Sequence, residues 1–253
     1  MIVIGGQTET PEELSTFFEE GSLERKMIAL LSDSDTKFFY SSLDELKFEL
    51  RLRTEIIKAA LALYKSGMDF EVFRDARCNE QYWTKTEEGG FLLKDGVKAS
   101  DAIRDIFEHA RKYGTECATA MIIVYYGALL QLYPEELFNK LFPKIHLMDW
   151  HYIDRLLDEV GAVKKRKVYL PGDRRYFANP AVDQLTPEWQ GENVIDLGNG
   201  KYYGHGVGIM EPGDFISALN EHREEGAQES AHLLDMAGRP DFKKLYEHSL
   251  RGN

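Results

Sequence analysis

The spacing of hydrophobic residues changes part-way along the chain. In the first half, apolar positions recur at steps of three and four, the period of one helix face. Leu43, Leu46, Leu50, Ile57, Leu61 and Tyr64 are the clearest run. Ser42 and Glu45 form a capping-box signature before it and Gly67 stands where a left-handed cap belongs, so the pattern predicts a long helix ending at Gly67. Thr10-Pro11-Glu12-Glu13 repeats the box, with proline at the first helical position, and predicts a short helix to about Glu20. Ser100 predicts the cap of a helix reaching about Lys112, and Pro134 to Leu141 reads as a further short one. From near Cys117 to Leu132 the chain is apolar on almost every side, which predicts a buried central helix.

Strand patterns dominate later. Ile2-Val3-Ile4 is an early exception, and Gln81 to Thr86 and Phe91 to Lys94 flank Gly89-Gly90 as a hairpin. After Pro143 the runs Ile145 to Trp150, Lys167 to Leu170, Arg175 to Phe177, Asn193 to Leu197 and Lys201 to Ile209 read as strands. Gly213 to Glu225 predicts a helix, and the tail beyond Glu229 another short one. Neither a low-complexity linker nor a repeat interrupts the chain. The expectation is one α+β domain over residues 1–253, helices in its first half and an antiparallel sheet in its second.

Charge narrows the partners. A formal net charge of -12 argues against nucleic acid and anionic membrane surfaces, which favour a basic face. The longest apolar run, Ala118 to Leu132, is shorter than a membrane span and carries Thr119, Tyr125, Tyr126 and Gln131. No secretory signal is read at the N-terminus, so the expectation is a soluble protein made and kept inside a cell. Two cysteines, Cys78 and Cys117, make no disulfide scaffold, and no Cys-His spacing suggests zinc; neither a metal nor a cofactor is expected.

Cys117 stands at the first turn of the predicted central helix. Unpaired N–H groups and the helix dipole there favour a thiolate, and the same N–H groups suit an oxyanion on an attacked carbonyl. A small buried cysteine is an equally ordinary reading of that position. Asn199-Gly200 is a two-residue hairpin signal that sets His205 opposite Val194 and leaves Glu192 diagonal to it on one face. A three-residue loop would shift this register. Gly204 and Gly206, on either side of His205, predict a bulge or a close backbone approach. A helix-start cysteine beside a sheet offering a histidine and a carboxylate is the layout of papain-like thiol enzymes, although here the acid precedes the histidine. That layout supports acyl transfer and leaves the acceptor open between water, as in a peptidase or amidase, and another nucleophile. Cys78, in a charged stretch, reads as incidental.

Seven segments carry a resemblance over nearly the whole chain. They are Phe48 to Arg53, Ser100 to Ile106, Glu116-Cys117-Ala118-Thr119-Ala120, Asp149-Trp150-His151-Tyr152, Tyr176 to Pro180, Trp189-Gln190-Gly191-Glu192-Asn193-Val194-Ile195 and His205-Gly206-Val207-Gly208-Ile209. In these the chain resembles the spore-coat protein-glutamine gamma-glutamyltransferase family of endospore-forming bacteria. The resemblance implies a papain-like core of the NlpC/P60 kind, no calcium requirement and no cofactor. It implies Cys117 as nucleophile, Glu192 as its partner carboxylate, Glu116 as a partial substitute and His205 completing the site, with Trp150 and Trp189 as candidates for the hydrophobic walls of an acyl tunnel. The implied partners are glutamine- and lysine-bearing spore coat proteins. The implied location is the spore surface, after synthesis in the mother cell.

Overall fold

The computed structural model describes residues 1–252 of the chain. Its centre is the helix Cys117–Leu132, in which every residue from Ala118 to Leu130 is buried. The apolar texture of this segment has no polar face to turn outward, so other elements must cover it on all sides. Its main partner is the long helix Leu43–Ser66. Helix Ala99–Glu108 closes another side, and Gly127 admits the Phe107 ring, whose nearest atom lies 2.6 Å from where a β-carbon would stand.

The predicted caps at Thr10, Ser42 and Gly67 hold with local changes. Ser42 accepts the Glu45 N–H at 3.2 Å and Gly67 ends the long helix at φ +69°, while the Glu45 carboxylate turns to Ser41. Thr10 and Glu13 form both arms of a capping box, but the helix covers only Pro11–Ser15. A second helix, Leu23–Ser32, and a strand, Phe38–Tyr40, were not expected. That strand pairs parallel to Ile2–Ile4, whose other neighbour is Gln7–Glu9. Ser100 is not a cap: it lies inside the first turn of Ala99–Glu108, and its N–H is satisfied by Asn139 Oδ1 at 2.9 Å. Trp83–Lys85 and Phe91–Leu93 form the expected hairpin, extended by His146–Leu147.

The second half supplies an antiparallel sheet of five strands. Their order is Gly208–Met210, Tyr202–Gly204, Gly191–Asp196, Arg174–Ala178 and His232–Leu233. The middle strand, Gly191–Asp196, rests on the central helix. Lys167 to Leu170 is loop rather than strand, its Leu170 N–H taken by Asp173 Oδ2 at 3.0 Å.

The hairpin loop is one residue longer than Asn199-Gly200 alone predicts. Leu197 N–H bonds Lys201 O, leaving residues 198–200 as a three-residue loop and placing Val194 opposite Gly204. Asp196 Oδ1 accepts the Gly198 N–H and Asn199 Oδ1 the Lys201 N–H, and these side-chain bonds stabilise the longer turn. The expected pairing of His205 with Val194 is therefore corrected. His205 falls off the ladder into a turn that splits the predicted strand Lys201 to Ile209, with Gly206 at φ +93° and Gly208 at +111°.

A buried charge network ties helices to sheet. Arg53, fully buried on the long helix, reaches Asp173 Oδ1 at 2.8 Å and Glu49 Oε1 at 2.9 Å, and Arg239 meets the other oxygen of Asp173. Burial disfavours the Arg53 charge, but the Asp173 and Glu49 carboxylates outweigh it and hold the guanidinium protonated. Asp173→Asn should cost about 3 kcal/mol, because it removes the buried carboxylate that Arg53 and Arg239 share and leaves Arg53 with Glu49 alone. Urea unfolding measures this, and a loss below about 1 kcal/mol would show that the network does not bind the two layers. No helix among the described residues is long and apolar enough to cross a membrane.

Candidate active site

Cys117 is the first residue of the central helix, and Glu116 is its cap. The Glu116 carboxylate accepts the Ala118 N–H at 2.5 Å and the Thr119 N–H at 2.8 Å. Two of the helix N–H groups expected to favour a thiolate are thus already engaged by a carboxylate. The thiol responds accordingly. Burial pushes Cys117 well above the usual thiol range, the Glu192 and Glu116 charges push the same way, and the Asn193 hydrogen bond only partly offsets them. The expected low thiol pKa is corrected: in the resting protein the sulfur keeps its proton.

The sheet strand Gly191–Asp196 crosses this helix start and presents two consecutive side chains to it. Asn193 Nδ2 donates to Cys117 Sγ at 3.5 Å. Its Oδ1 accepts from Arg174 Nη1 at 2.6 Å, and Arg174 is held by Val160 O and Gly161 O and lies 4.5 Å over the Trp150 ring. Glu192 lies within reach of the Cys117 thiol and the His205 backbone N–H. It is 5% exposed, and its Oε1 accepts no hydrogen bond. Burial, reinforced by the Glu116 charge, raises its carboxyl well above the ordinary range. Gly204 allows this fit, since a β-carbon there would stand 2.8 Å from Glu192 Oε1.

His205 lines a cavity with Glu192, but its ring is engaged elsewhere. Its Nδ1 bonds the Tyr203 hydroxyl and its Nε2 the Asp69 carbonyl, each at 3.2 Å, and Phe70 covers it. Burial pushes the imidazole down to about 4 despite those bonds, so it is neutral near pH 7. In the unfolded chain it titrates near ~6.5. Between these values the unfolded state binds more protons, so stability is full above about pH 6.5 and lost as pH falls toward 4. From pH 7 to pH 5 wild type should therefore lose about 2 kcal/mol more than His205→Asn, measured by urea unfolding. Parallel losses would contradict a buried neutral imidazole.

Two cavities flank the cluster. A cleft of about 650 Å³ holds Cys117, Glu116 and Asn193, walled by Trp150, Phe70, Phe73, Tyr176 and Leu234. A small cavity of about 40 Å³ holds Glu192 and His205, walled by Trp189, Phe70 and Val207. Trp150 and Trp189 thus line different cavities. Asp149 sits at the cleft with φ +46°, a left-handed conformation rare outside glycine, pinned by its N–H to Thr119 Oγ1 at 2.8 Å. Cys78 lines neither cavity, and burial followed by the Glu80 charge pushes its thiol up to about 11.

The sequence reading missed Asn193 and Arg174. A polar residue amid the apolar run Val194-Ile195, one step from Glu192, was the available signal for Asn193. Nothing local announces Arg174.

A thiol at a helix start, a buried carboxyl near it and an amide on its sulfur are groups of the kind that acyl transfer by a cysteine uses. The chain belongs to the protein-glutamine gamma-glutamyltransferase family, whose model matches residues 1–249. It is similar to the protein-glutamine gamma-glutamyltransferase of Bacillus cereus (strain 03BB102), with 42% identity over 98% of this chain and 89% of the relative. The Bacillus mycoides (strain KBAB4) protein of the same name is 41% identical over the same shares. Among solved structures it matches a transglutaminase from Geobacillus stearothermophilus (without C-terminal extension), at TM-score 0.76 and 46% identity, covering 81% of this chain and 97% of that one. The protein is a bacterial-type transglutaminase, an acyltransferase with an α+β fold.

Proposed function

We propose that this chain cross-links proteins through γ-glutamyl-ε-lysine bonds by way of a thioester on Cys117, without calcium. The observation that carries the reading is the buried Cys117–Glu192 pair. A lone carboxylate in water, near ~4.3, is too weak a base for a thiol. A carboxyl raised by burial is a competent one.

As Cys117 Sγ attacks the glutamine γ-carboxamide carbon, the thiol proton passes to Glu192. Collapse of the tetrahedral adduct breaks the C–N bond, and the departing nitrogen takes that proton and leaves as ammonia. The thioester remains. A lysine amine, once deprotonated from its usual ~10.4, attacks it and gives its second proton to Glu192. The isopeptide forms, Glu192 returns the proton to sulfur, and the pair is reset. The aromatic side chains of the cleft wall, Trp150, Phe70, Phe73 and Tyr176, would cover the thioester once the substrate fills the cleft, which favours an amine over hydrolysis.

The surroundings of the pair suggest a role for each neighbour. Asn193, oriented by Arg174, steadies sulfur as charge develops. Glu116 is a positioning residue, because reaching the thiol would break its bonds to Ala118 and Thr119. His205 packs beside Glu192 in the small cavity, and Trp150 and Trp189 wall the two approaches. Residues 1–253 act as one transglutaminase domain with a papain-like core of the NlpC/P60 kind. The resemblance of the seven segments supports glutamine- and lysine-bearing spore coat proteins as substrates and the spore surface as the place of action.

The test is incorporation of a fluorescent primary amine into a glutamine-bearing protein with a calcium chelator present. Undiminished incorporation supports the reading, whereas a calcium requirement, or ammonia release without incorporation, would overturn it. Isolated coat protein should give high-mass products under the same conditions.

A further inference from the structure

The two cavities share Phe70 and Glu188 as lining residues. Four acidic side chains line them: Glu116, Asp149, Glu188 and Glu192. Two are committed and a third has a histidine for a neighbour. Glu116 caps the central helix, Asp149 Oδ2 lies 3.5 Å from His151 Nδ1, and Glu192 is buried with its carboxyl pushed up. Glu188 is different. It is exposed, and among the described residues no hydrogen bond or ion pair engages its carboxylate.

Its backbone is nevertheless fixed. Glu188 lies in the short turn Pro187–Trp189, between a proline and a tryptophan that stacks on His222 at 3.9 Å. The cavities offer no competing cation. Arg174 is the one guanidinium in their lining among the described residues, and it is bound to Val160 O, Gly161 O and Asn193 Oδ1.

The two substrates of the proposed reaction differ in charge. A glutamine carboxamide is neutral, but a lysine amine arrives as an ammonium ion, with a pKa near ~10.4. A free carboxylate at the junction of the cavities therefore attracts the acceptor and ignores the donor. We infer that Glu188 is the recognition residue for the amine acceptor, receiving the lysine ammonium where the cavities meet, beside the Cys117–Glu192 pair. This rests on the cross-linking reading above. Glu188 takes no part in the bond changes. It holds the cation at the site until the amine loses its proton and attacks.

Glu188→Gln tests this with two acceptors: a dansylated diamine carrying one ammonium group, and hydroxylamine, which is neutral at pH 7. KM for the ammonium acceptor should rise about threefold to fivefold, the scale of one exposed ion pair, with kcat held. KM for hydroxylamine and for the glutamine substrate should not move. Added salt should narrow the gap between wild type and variant, and Glu188→Lys should widen it. Equal shifts for both acceptors, or none for either, would overturn the inference. Wild type that uses neither acceptor would instead defeat the cross-linking reading, so the two failures are distinguishable.

Discussion

Cys117→Ala should abolish amine incorporation, with a loss on the order of 10⁴-fold or more, and leave the fold intact. The sulfur has one hydrogen-bond partner, Asn193 Nδ2 at 3.5 Å, and it borders the open cleft rather than the sealed core. Removing it creates no closed cavity, so thermal unfolding should be nearly unchanged. The other thiol offers no rescue, because Cys78 lines neither cavity and burial pushes it up to about 11. A variant with a tenth of wild-type activity or more would end the assignment of Cys117 as nucleophile.

Glu192→Gln should lower kcat about 10³-fold with little change in KM for the glutamine substrate. The substitution keeps shape and removes the proton acceptor. The pH profile makes the reading specific. Burial raises the Glu192 carboxyl, so wild-type activity should fall on acidification in a range above the ordinary carboxylate value of ~4.3. That acid limb should vanish in the variant's residual activity. Stability should move the other way. A carboxyl raised in the folded state binds more protons there than in the unfolded chain, so its contribution declines as pH rises through the raised value. Glu192→Gln should thus be no less stable than wild type at pH 8, as read by urea unfolding. An unchanged acid limb, or a loss below about tenfold, would mean that another group takes the thiol proton.

Local signals carried much of the architecture. The Leu43–Ser66 helix declared itself by period, cap and closing glycine, and the Trp83–Lys85 hairpin by its paired glycines. The buried helix at Cys117 was legible because thirteen successive positions from Ala118 to Leu130 offer no exposed face. Leu23–Ser32 was equally legible in Ser22, Met27, Ile28 and Leu31, and was overlooked. Lys167 to Leu170 looks like a strand, but Asp173 takes the Leu170 N–H and no ladder forms. Such a bond lies outside any apolar pattern.

The site was legible in its members and less so in its geometry. Cys117 and Glu192 came together across 75 residues of chain, as the layout required. His205 arrived at a different position, because Asp196 and Asn199 lengthen the hairpin loop by one residue and move it off the ladder. Glu116 reads as a spare acid beside the thiol, yet glutamate is not among the favoured caps, and its grip on Ala118 and Thr119 was not foreseen. The Arg174–Asn193 contact is set by strand pairing, with Asn193 opposite Tyr176 and Ile195 opposite Arg174, and no window of sequence contains it.

The most direct measurement is the intact mass of the protein after incubation with a glutamine peptide and no amine, quenched in acid. The account predicts an adduct of the peptide's mass less ammonia, mapped to Cys117, discharged by an added amine and missing from Cys117→Ala. An unmodified protein that still joins peptide to amine, or an adduct at Cys78, would contradict it.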